Sequence, residues 1–324
     1  MTANIEVKHT LIDESSIRNL LVQYNLENVI HCSFLSRGLN DTYLVTTKKE
    51  SYIFRIYRYG WRDRTSVHFE IDAINHLRDN NFNVSFPILN RNNSYLCEIA
   101  APEGLRYGVL FSYTKGERPL INEESSQLIG GTLGKMHELS DGFQSNHNRG
   151  FKLDLNHLLD EPVEVIAPVL KRYLGKEADE ALKEVVKDIK TELAAKELEV
   201  GFCHGDFHNH NMHINNREIE VFDFDCSAIG YRAYDVAVSW WNLINNYKSQ
   251  EQDCWGDFLT GYLNHRNLSK DDRESLPLFI TARRIWLLGT MLRNDDVWGT
   301  NWINKASMEL FILQVRTDMI RDKG

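Results

Sequence analysis

The sequence contains few of the residues that mark secreted or membrane proteins. Its five cysteines are odd in number, and no two of them form a C-x-x-C pair, which argues against a disulfide framework or a thiolate zinc site. No apolar run approaches the ~20 residues needed to span a bilayer. Met1–Thr10 also lacks the apolar segment of a signal peptide. We therefore expect a cytoplasmic protein without a membrane partner.

Positive charge is also scarce. The chain has 37 Lys and Arg against 46 Asp and Glu, a formal net charge of −9. Because nucleic acids bind proteins largely through neutralisation of their phosphates, we expect no nucleic-acid partner. The remaining composition is that of an ordinary globular protein, and a length of 324 residues suggests two domains or lobes.

The pattern of secondary structure changes near residue 115. A helix is predicted over Asp13–Asn25. Strand-type segments and a second helix follow: strands at Val29–Leu35, Thr42–Thr47, Ser51–Tyr57, Tyr95–Ile99 and Tyr107–Tyr113, and a helix from about Thr65 to Asp79. The turn-rich segment Lys115–Pro119 marks a boundary. We predict lobes of residues 1–113 and 114–324.

The second lobe is predicted to be mostly helical. Its helical segments are Gln127–Leu139, Glu177–Glu197, Ala233–Asn245, Trp255–Asn264, Leu276–Arg293 and Trp302–Met319. One β-type island, Val200–Phe224, interrupts them with short strands around a polar loop. The predicted fold class is α+β, with a five-stranded antiparallel sheet and a helix followed by a helical lobe that contains small hairpins.

The β-type island carries polar side chains at the spacing of a phosphotransfer site. His204, Asp206 and Asn211 match the H-x-D-x-x-x-x-N catalytic loop of protein kinases, and Asp223-Phe224 matches the start of their Asp-Phe-Gly element. Asp206 is predicted to orient an acceptor hydroxyl and take its proton, with His204 bracing the catalytic loop. Magnesium prefers oxygen ligands, which Asn211 and Asp223 supply. The pattern predicts a bilobal, protein-kinase-like enzyme that uses ATP or GTP and Mg²⁺.

The histidines of the island allow a second interpretation. Imidazoles close to carboxylates also form zinc or di-metal hydrolase sites. The four histidines are His204, His208, His210 and His213. Their order, H-x-D-x-H-x-H, does not follow the metallo-hydrolase patterns, and it leaves the Asp223 strand without a role. We therefore favour the kinase interpretation.

The segment His204-Gly-Asp206-Phe-His208-x-x-Asn211 resembles the signature of the aminoglycoside phosphotransferase and choline kinase-like family. That family includes kinase-like homoserine kinases, methylthioribose kinases and bacterial stress-response Ser/Thr kinases. The resemblance implies nucleotide-binding residues in the first lobe: Ser36, Gly38, Asn40 and Thr42 in a phosphate-covering loop, Arg55 in place of the usual strand lysine with Glu70 as its ion-pair partner, and Phe111, Ser112 and Tyr113 at the adenine hinge. The plain alternative for Arg55 and Glu70 is a pair of solvated charges.

Two absences indicate the kind of kinase. Gly205 stands where protein kinases keep an arginine that pairs with a phosphorylated activation loop. Only about a dozen residues separate Asp223 from Asp235, and they contain no A-P-E motif, so a regulated activation segment has no room. We predict a constitutively competent kinase that phosphorylates a hydroxyl of a small molecule.

Candidate acceptor contacts are Asp225, His208, Trp241 and Trp286. Indole faces and carboxylates suit an amine-bearing alcohol, through cation–π and ion-pair contacts. Two other functions stay open at this point. One is a protein Ser/Thr kinase of the bacterial stress type, and the other is a nucleotide-binding protein without catalysis, suggested by Arg55 in place of lysine.

Overall fold

The chain divides into two compact units. The computed structural model describes residues 5–320, so the first four residues of the segment Met1–Thr10 lie outside it. The first unit extends to Lys115 and includes Gln144–Gly150 and Glu220–Phe222; the second contains Gly116–Phe143, Phe151–Ile219 and the chain from Asp223 onward. The predicted lobes, residues 1–113 and 114–324, stay a prediction about domains. Within residues 5–320, no helix is long and apolar enough to cross a membrane.

The first unit is built on a five-stranded antiparallel sheet in the order β1-β2-β3-β5-β4. Its elements are α1 Glu14–Leu21, β1 His31–Arg37, β2 Asp41–Thr46, β3 Ser51–Ile56, α2 Arg64–Asp79, β4 Leu96–Ala101 and β5 Gly104–Ser112. These are the elements that the sequence pattern predicts, with bounds that differ by a few residues.

The core of the first unit lies between the sheet and α1. Tyr43 of β2 and Phe54 of β3 are fully buried, and they pack in one cluster with Ile17 and Leu21 of α1. The prediction that this helix continues to Asn25 was wrong. Tyr24 forms an isolated antiparallel bridge to Asn90, and this extended pairing is incompatible with another helical turn.

The second unit is mostly helical and contains short strands. Its helices are α3 Glu123–Leu139, α4 Glu161–Leu174, α5 Lys176–Ala194, α6 Arg232–Asn246, α7 Glu251–Leu263, α8 Lys270–Arg293, α9 Asp295–Trp298 and α10 Lys305–Met319. A π-helical turn at Asn156–Asp160 leads into α4, and a 3-10 turn occupies Phe224–Cys226. The remaining strands are β6 Val200–Cys203, β7 Met212–Asn215, β8 Glu218–Val221 and β9 Ala228–Tyr231, in the pairs β6-β9 and β7-β8; the last two residues of β8 are assigned to the first unit.

Several elements of the second unit depart from the sequence prediction. Helix α4 was missed because it contains two prolines: Pro162 lies in its first turn, where proline is tolerated, and Pro168 lies inside the helix, where proline is unfavourable. Strand β9, which has four residues, was also missed. Helix α8 begins six residues before the predicted Leu276, because the Ser269 hydroxyl accepts the N–H of Asp272 at 3.0 Å and caps the earlier start.

Helices α3 and α7 pack at glycines. A Cβ on Gly130 would lie 1.9 Å from the Phe258 carbonyl oxygen, and a Cβ on Gly261 would lie 1.9 Å from the Gln127 carbonyl oxygen. Only glycine permits such close approach of two backbones. This contact fixes α3, which carries His137 toward the site described next.

Candidate active site

In the first unit, the residues of the predicted phosphate-covering loop lie close together along β1 and β2. Ser36 pairs with Thr42 across the sheet, and Thr42 pairs in turn with Arg55. Directly opposed residues of neighbouring strands lie on the same face, so these three side chains share one face. The turn between the two strands is closed by the Gly38 N–H, which donates to the Asn40 carbonyl at 3.1 Å.

Arg55 forms a buried ion pair with Glu70. Their side chains are 7% and 0% exposed, so the interpretation as two solvated charges was wrong. The Tyr57 hydroxyl accepts from Arg55 at 2.5 Å and donates to the other oxygen of Glu70 at 3.0 Å. The guanidinium also lies 4.7 Å from the ring centroid of Phe111. These contacts supply the hydrogen bonds that a buried ion pair requires.

The predicted hinge residues differ in what they can offer a ligand. The Ser112 N–H donates to the Phe86 carbonyl at 2.9 Å, and the Ser112 carbonyl accepts from the Ser85 hydroxyl at 2.7 Å. Phe111 is buried, whereas Tyr113 is 39% exposed. The backbone of Ser112 is thus engaged within the protein, which leaves Tyr113 as the hinge candidate with an accessible surface.

In the second unit, Asp235 anchors the start of the catalytic loop. Its two carboxylate oxygens accept the backbone N–H groups of His204 and Gly205, each at 2.6 Å. Asp235 is fully buried in the first turn of α6, and His137 of α3 contacts it at 3.2 Å. Sequence reasoning missed this role. The available signal was an aspartate enclosed by the apolar stretch Ala-Tyr-Asp-Val-Ala.

Within residues 5–320, one group of side chains has metal-ligand spacing: His137, Cys203 and Asp235. Burial raises the pKa of the Cys203 thiol, which donates to the Tyr231 carbonyl at 3.5 Å. Burial also lowers the pKa of His137 despite the nearby Asp235. A neutral thiol and a neutral imidazole indicate a hydrogen-bonded structural cluster. The four histidines of the island form no such group within these residues.

The Asp206 carboxylate is held by three side chains. Arg283 bonds to Oδ1, the His208 Nε2 lies 3.2 Å from the same oxygen, and the Asn211 amide donates to Oδ2 at 3.1 Å. The His208 Nδ1 accepts the His210 N–H at 3.2 Å, so its Nε2 carries the proton that faces Asp206. Each carboxylate oxygen accepts about two hydrogen bonds. Oδ1 therefore has both of its hydrogen-bond positions occupied, whereas Oδ2 can accept one more hydrogen bond.

The surroundings of Asp206 keep it ionised. Burial alone raises the pKa of a carboxyl group, but Arg283 and His208 outweigh burial and hold the pKa of Asp206 below its ordinary range. The side chain is still 23% exposed. An ionised, partly accessible carboxylate can orient a hydroxyl and accept its proton as the hydroxyl reacts. Sequence reasoning missed Arg283, although its neighbour in α8, Trp286, was a predicted site residue.

His204 braces the catalytic loop from within. Its ring is fully buried and packs against Phe224 at 4.5 Å and Phe207 at 5.7 Å between centroids. Its Nδ1 accepts the backbone N–H of Asp206 at 3.3 Å. The full burial of His204 is compatible with the predicted bracing of the loop, which stays a prediction.

Gly205 joins the catalytic loop to the turn after Asp223. Its φ is +80°, and a Cβ there would lie 2.2 Å from the Cys226 carbonyl oxygen, so the arginine of protein kinases cannot stand at this position. Asp223 is exposed and has a left-handed φ of 64°, an uncommon conformation that often marks functional sites. Asp225, a predicted acceptor contact, is only 4% exposed.

The two predicted acceptor tryptophans contact a cation of the protein itself. The Arg283 guanidinium carbon lies 5.2 Å from the ring centroid of Trp241 and 4.8 Å from that of Trp286. Arg283 thus contacts Asp206 and both tryptophans, while His208 and Asn211 contact Asp206.

Comparisons with known proteins agree with this geometry. The profile of the "Phosphotransferase enzyme family" matches residues 31–272. An uncharacterised protein of Deinococcus radiodurans is 34% identical over 281 residues, which cover 86% of this chain and 81% of the relative. An uncharacterised protein of Synechocystis sp. is 31% identical over 286 residues, which cover 86% of this chain and 78% of the relative.

Solved structures show the same fold. An amicoumacin kinase in complex with AMP-PNP, Ca²⁺ and Ami superimposes with a TM-score of 0.78 at 20% identity, covering 94% of each chain. A microcompartment-associated aminopropanol kinase gives a TM-score of 0.74 at 21% identity, covering 94% of this chain and 95% of the other. The predicted α+β, protein-kinase-like fold class is confirmed.

Proposed function

The chain belongs to the phosphotransferase enzyme family and is a kinase, and from this membership we propose that it transfers the γ-phosphoryl group of ATP to a hydroxyl of a small polar molecule, with Mg²⁺ as the metal. The observation that supports this proposal most strongly is the Asp206 carboxylate. It is kept ionised by its basic neighbours, and its Oδ2 has one remaining position for a hydroxyl.

The proposed step moves one proton and one phosphoryl group. The acceptor O–H donates to Asp206 Oδ2, the acceptor oxygen forms a bond to the γ-phosphorus, and the bond from that phosphorus to the bridging oxygen breaks to release the nucleoside diphosphate. The proton passes to Asp206 as the acceptor oxygen becomes bonded. Asn211 and Arg283 fix the carboxylate, so the hydroxyl meets it in one orientation.

Asn211 and Asp223 are suited to hold the metal. The Asn211 amide nitrogen donates to the Asp206 carbonyl at 2.9 Å and to the Asp206 carboxylate, which directs the amide oxygen elsewhere. Together with the exposed Asp223 carboxylate it offers the oxygen ligands that Mg²⁺ prefers. A bound divalent ion would neutralise charge on the nucleotide phosphates. The amicoumacin kinase solved with AMP-PNP and Ca²⁺ supports a nucleotide and a divalent metal.

For the nucleotide we propose the residues of the first unit. The Arg55–Glu70 pair would face the phosphates from the sheet, with the turn that contains Gly38 and Asn40 beside it. Tyr113 would contribute to the hinge. ATP and GTP differ in the hydrogen bonds they offer a hinge, so a direct comparison of the two nucleotides belongs in the first assay.

For the acceptor, a small molecule is favoured over a protein. Gly205 has no space for the arginine that regulated protein kinases use, and α6 begins at Arg232, shortly after Asp223. An amine-bearing alcohol is one candidate acceptor, because the aminopropanol kinase shares the fold.

The test is a screen of a bacterial metabolite extract. The protein is incubated with the extract and Mg-ATP or Mg-GTP, and mass spectrometry detects compounds that gain a phosphoryl group. We expect one or a few small products that disappear when Mg²⁺ is chelated. Labelled protein bands without small products would instead indicate a protein kinase. The absence of any phosphorylated product, small or large, would contradict the proposal.

A further inference from the structure

Arg283 lies over the rings of the two tryptophans that were predicted to contact the acceptor, Trp241 and Trp286. Its guanidinium carbon lies 5.2 Å from the ring centroid of Trp241 and 4.8 Å from that of Trp286, and Arg283 is 3% exposed. The Trp286 N–H donates to His157 Nε2 at 3.0 Å, and His157 Nδ1 in turn lies 3.2 Å from Glu161. One of the two rings is thus fixed in the orientation that holds the guanidinium.

An ammonium group on the acceptor would need the same surfaces. Cation–π contacts use the faces of aromatic rings, and a fixed guanidinium already lies over both indoles. A second cation placed beside Arg283 would be repelled, most strongly where water is excluded. Asp206 cannot act as its counter-ion through Oδ1, because Arg283 and His208 already contact that oxygen.

Before the reaction, the charges around Arg283 are balanced. The groups facing the Arg283 guanidinium are the Asp206 carboxylate, the Gly205 carbonyl at 3.5 Å and the hydroxyl of Tyr234, whose pKa is raised by burial. Proton transfer from the acceptor to Asp206 would neutralise the carboxylate paired with Arg283. An acceptor that brings its own negative charge would compensate for this loss.

The accessible side of the catalytic loop adds one further cation, the exposed Arg118. His208 contacts Asp206, and His210 contacts the exposed Arg118 at 3.2 Å. In the part of the chain that the structure describes, Asp206 is the one carboxylate paired with any of these side chains or with Arg283. In the proposed function, the exposed Asp223 is a ligand of the metal ion.

We propose that the acceptor carries an anionic oxygen group, a carboxylate or a phosphate, close to its reacting hydroxyl, and that Arg283 is the residue that selects it. The proposal rests on the proposed function, because it concerns the acceptor of the same reaction. It predicts a hydroxy acid or a phosphorylated alcohol as substrate and disfavours a simple amino alcohol.

The first experiment uses the unmodified protein. Each product of the metabolite screen is identified by mass and fragmentation, and the acceptor part is examined for a carboxylate or a phosphate other than the transferred group. We expect every efficient acceptor to contain one. An efficient acceptor with an amine and no acidic group would overturn the proposal while leaving the kinase function intact. A screen without products would instead contradict the kinase function itself.

The second experiment compares the identified acid with its neutral amide. Unmodified protein should prefer the acid by at least tenfold in kcat/KM. Arg283→Met should abolish that preference, and Arg283→Lys should retain part of it, with little change in the KM for ATP. A purely structural role of Arg283 would lower both activities equally and leave the ratio unchanged. An unchanged ratio, or a rise in the KM for ATP alone, would overturn the assignment of Arg283.

Discussion

Substitution of Asp235 by Asn should uncouple the catalytic loop from α6. The Asp235 carboxylate accepts the N–H groups of His204 and Gly205 at 2.6 Å each, in a fully buried position. An asparagine has the same shape but only one acceptor oxygen, and its amide group would face one of these two donors. One backbone N–H would therefore lose its acceptor, and the other would donate to a neutral acceptor instead of a charged one.

The expected magnitude follows from these two contacts. A buried donor left without a partner costs about 1–3 kcal/mol, and exchange of a charged for a neutral acceptor costs about 1 kcal/mol. Asp235→Asn should thus lower the free energy of unfolding by about 2–4 kcal/mol, a large part of the ~5–15 kcal/mol of a typical domain. A loop displaced by about 1 Å should also lower kcat by about 10²-fold.

Urea unfolding and steady-state kinetics measure the two effects. The matched control is Asp188→Asn on the exposed side of α5, which should change the free energy of unfolding by less than about 0.5 kcal/mol. If Asp235→Asn is as stable and as active as the control, the two hydrogen bonds do not hold the catalytic loop, and the reasoning fails.

Three other perturbations test the remaining contacts. Gly261→Ala would place a Cβ 1.9 Å from a carbonyl oxygen of the facing helix and should destabilise the protein by about 1–3 kcal/mol in thermal melting. The control Gly256→Ala, in the same helix, meets open space and should be neutral or stabilising. Equal melting temperatures of the two variants would contradict the close packing. Glu70→Gln removes the charge that pairs with Arg55 and should raise the KM for ATP more than the KM for the acceptor; the reverse order, measured in the same kinetic series, would argue against a nucleotide role. Burial raises the pKa of Asp206, but its basic neighbours lower that pKa by a larger amount. The ionised form of Asp206, and the stability it contributes, should therefore persist from pH 8 down to about pH 4 and be lost only in stronger acid. A loss of activity near pH 6 caused by protonation of a carboxyl group would contradict this.

The contact between Asp206 and Asn211 could be anticipated because both residues lie in one short segment. Asp206 and Asn211 lie five residues apart, and Asp223 follows a strand shortly afterwards; their common role, indicated by this spacing, stays a prediction. Local sequence does not reveal partners that folding brings from far along the chain. Asp235 and Arg283 reach the loop from helices 31 and 77 residues away, and only the packing of α6 and α8 places them there.

Burial was equally difficult to predict. Local sequence does not show that Arg55 and Glu70 are buried. Only the family resemblance indicated an ion pair, and the enclosure of the two side chains depends on the contact between α2 and β3. In the second unit, the prolines of α4 hid a helix whose stability comes from tertiary contacts rather than from intrinsic propensity. The sheet was predicted well because strands rich in β-branched and aromatic residues carry a strong local signal.

The most direct measurement is the turnover number of Asp206→Ala on an acceptor identified by the metabolite screen, with thermal melting to confirm that the variant is folded. Removal of the carboxylate that receives the hydroxyl proton should lower kcat by about 10²–10⁴-fold while Mg-ATP still binds. A folded Asp206→Ala protein that phosphorylates the acceptor at the full rate would contradict the assignment of Asp206 and the phosphotransfer site built around it.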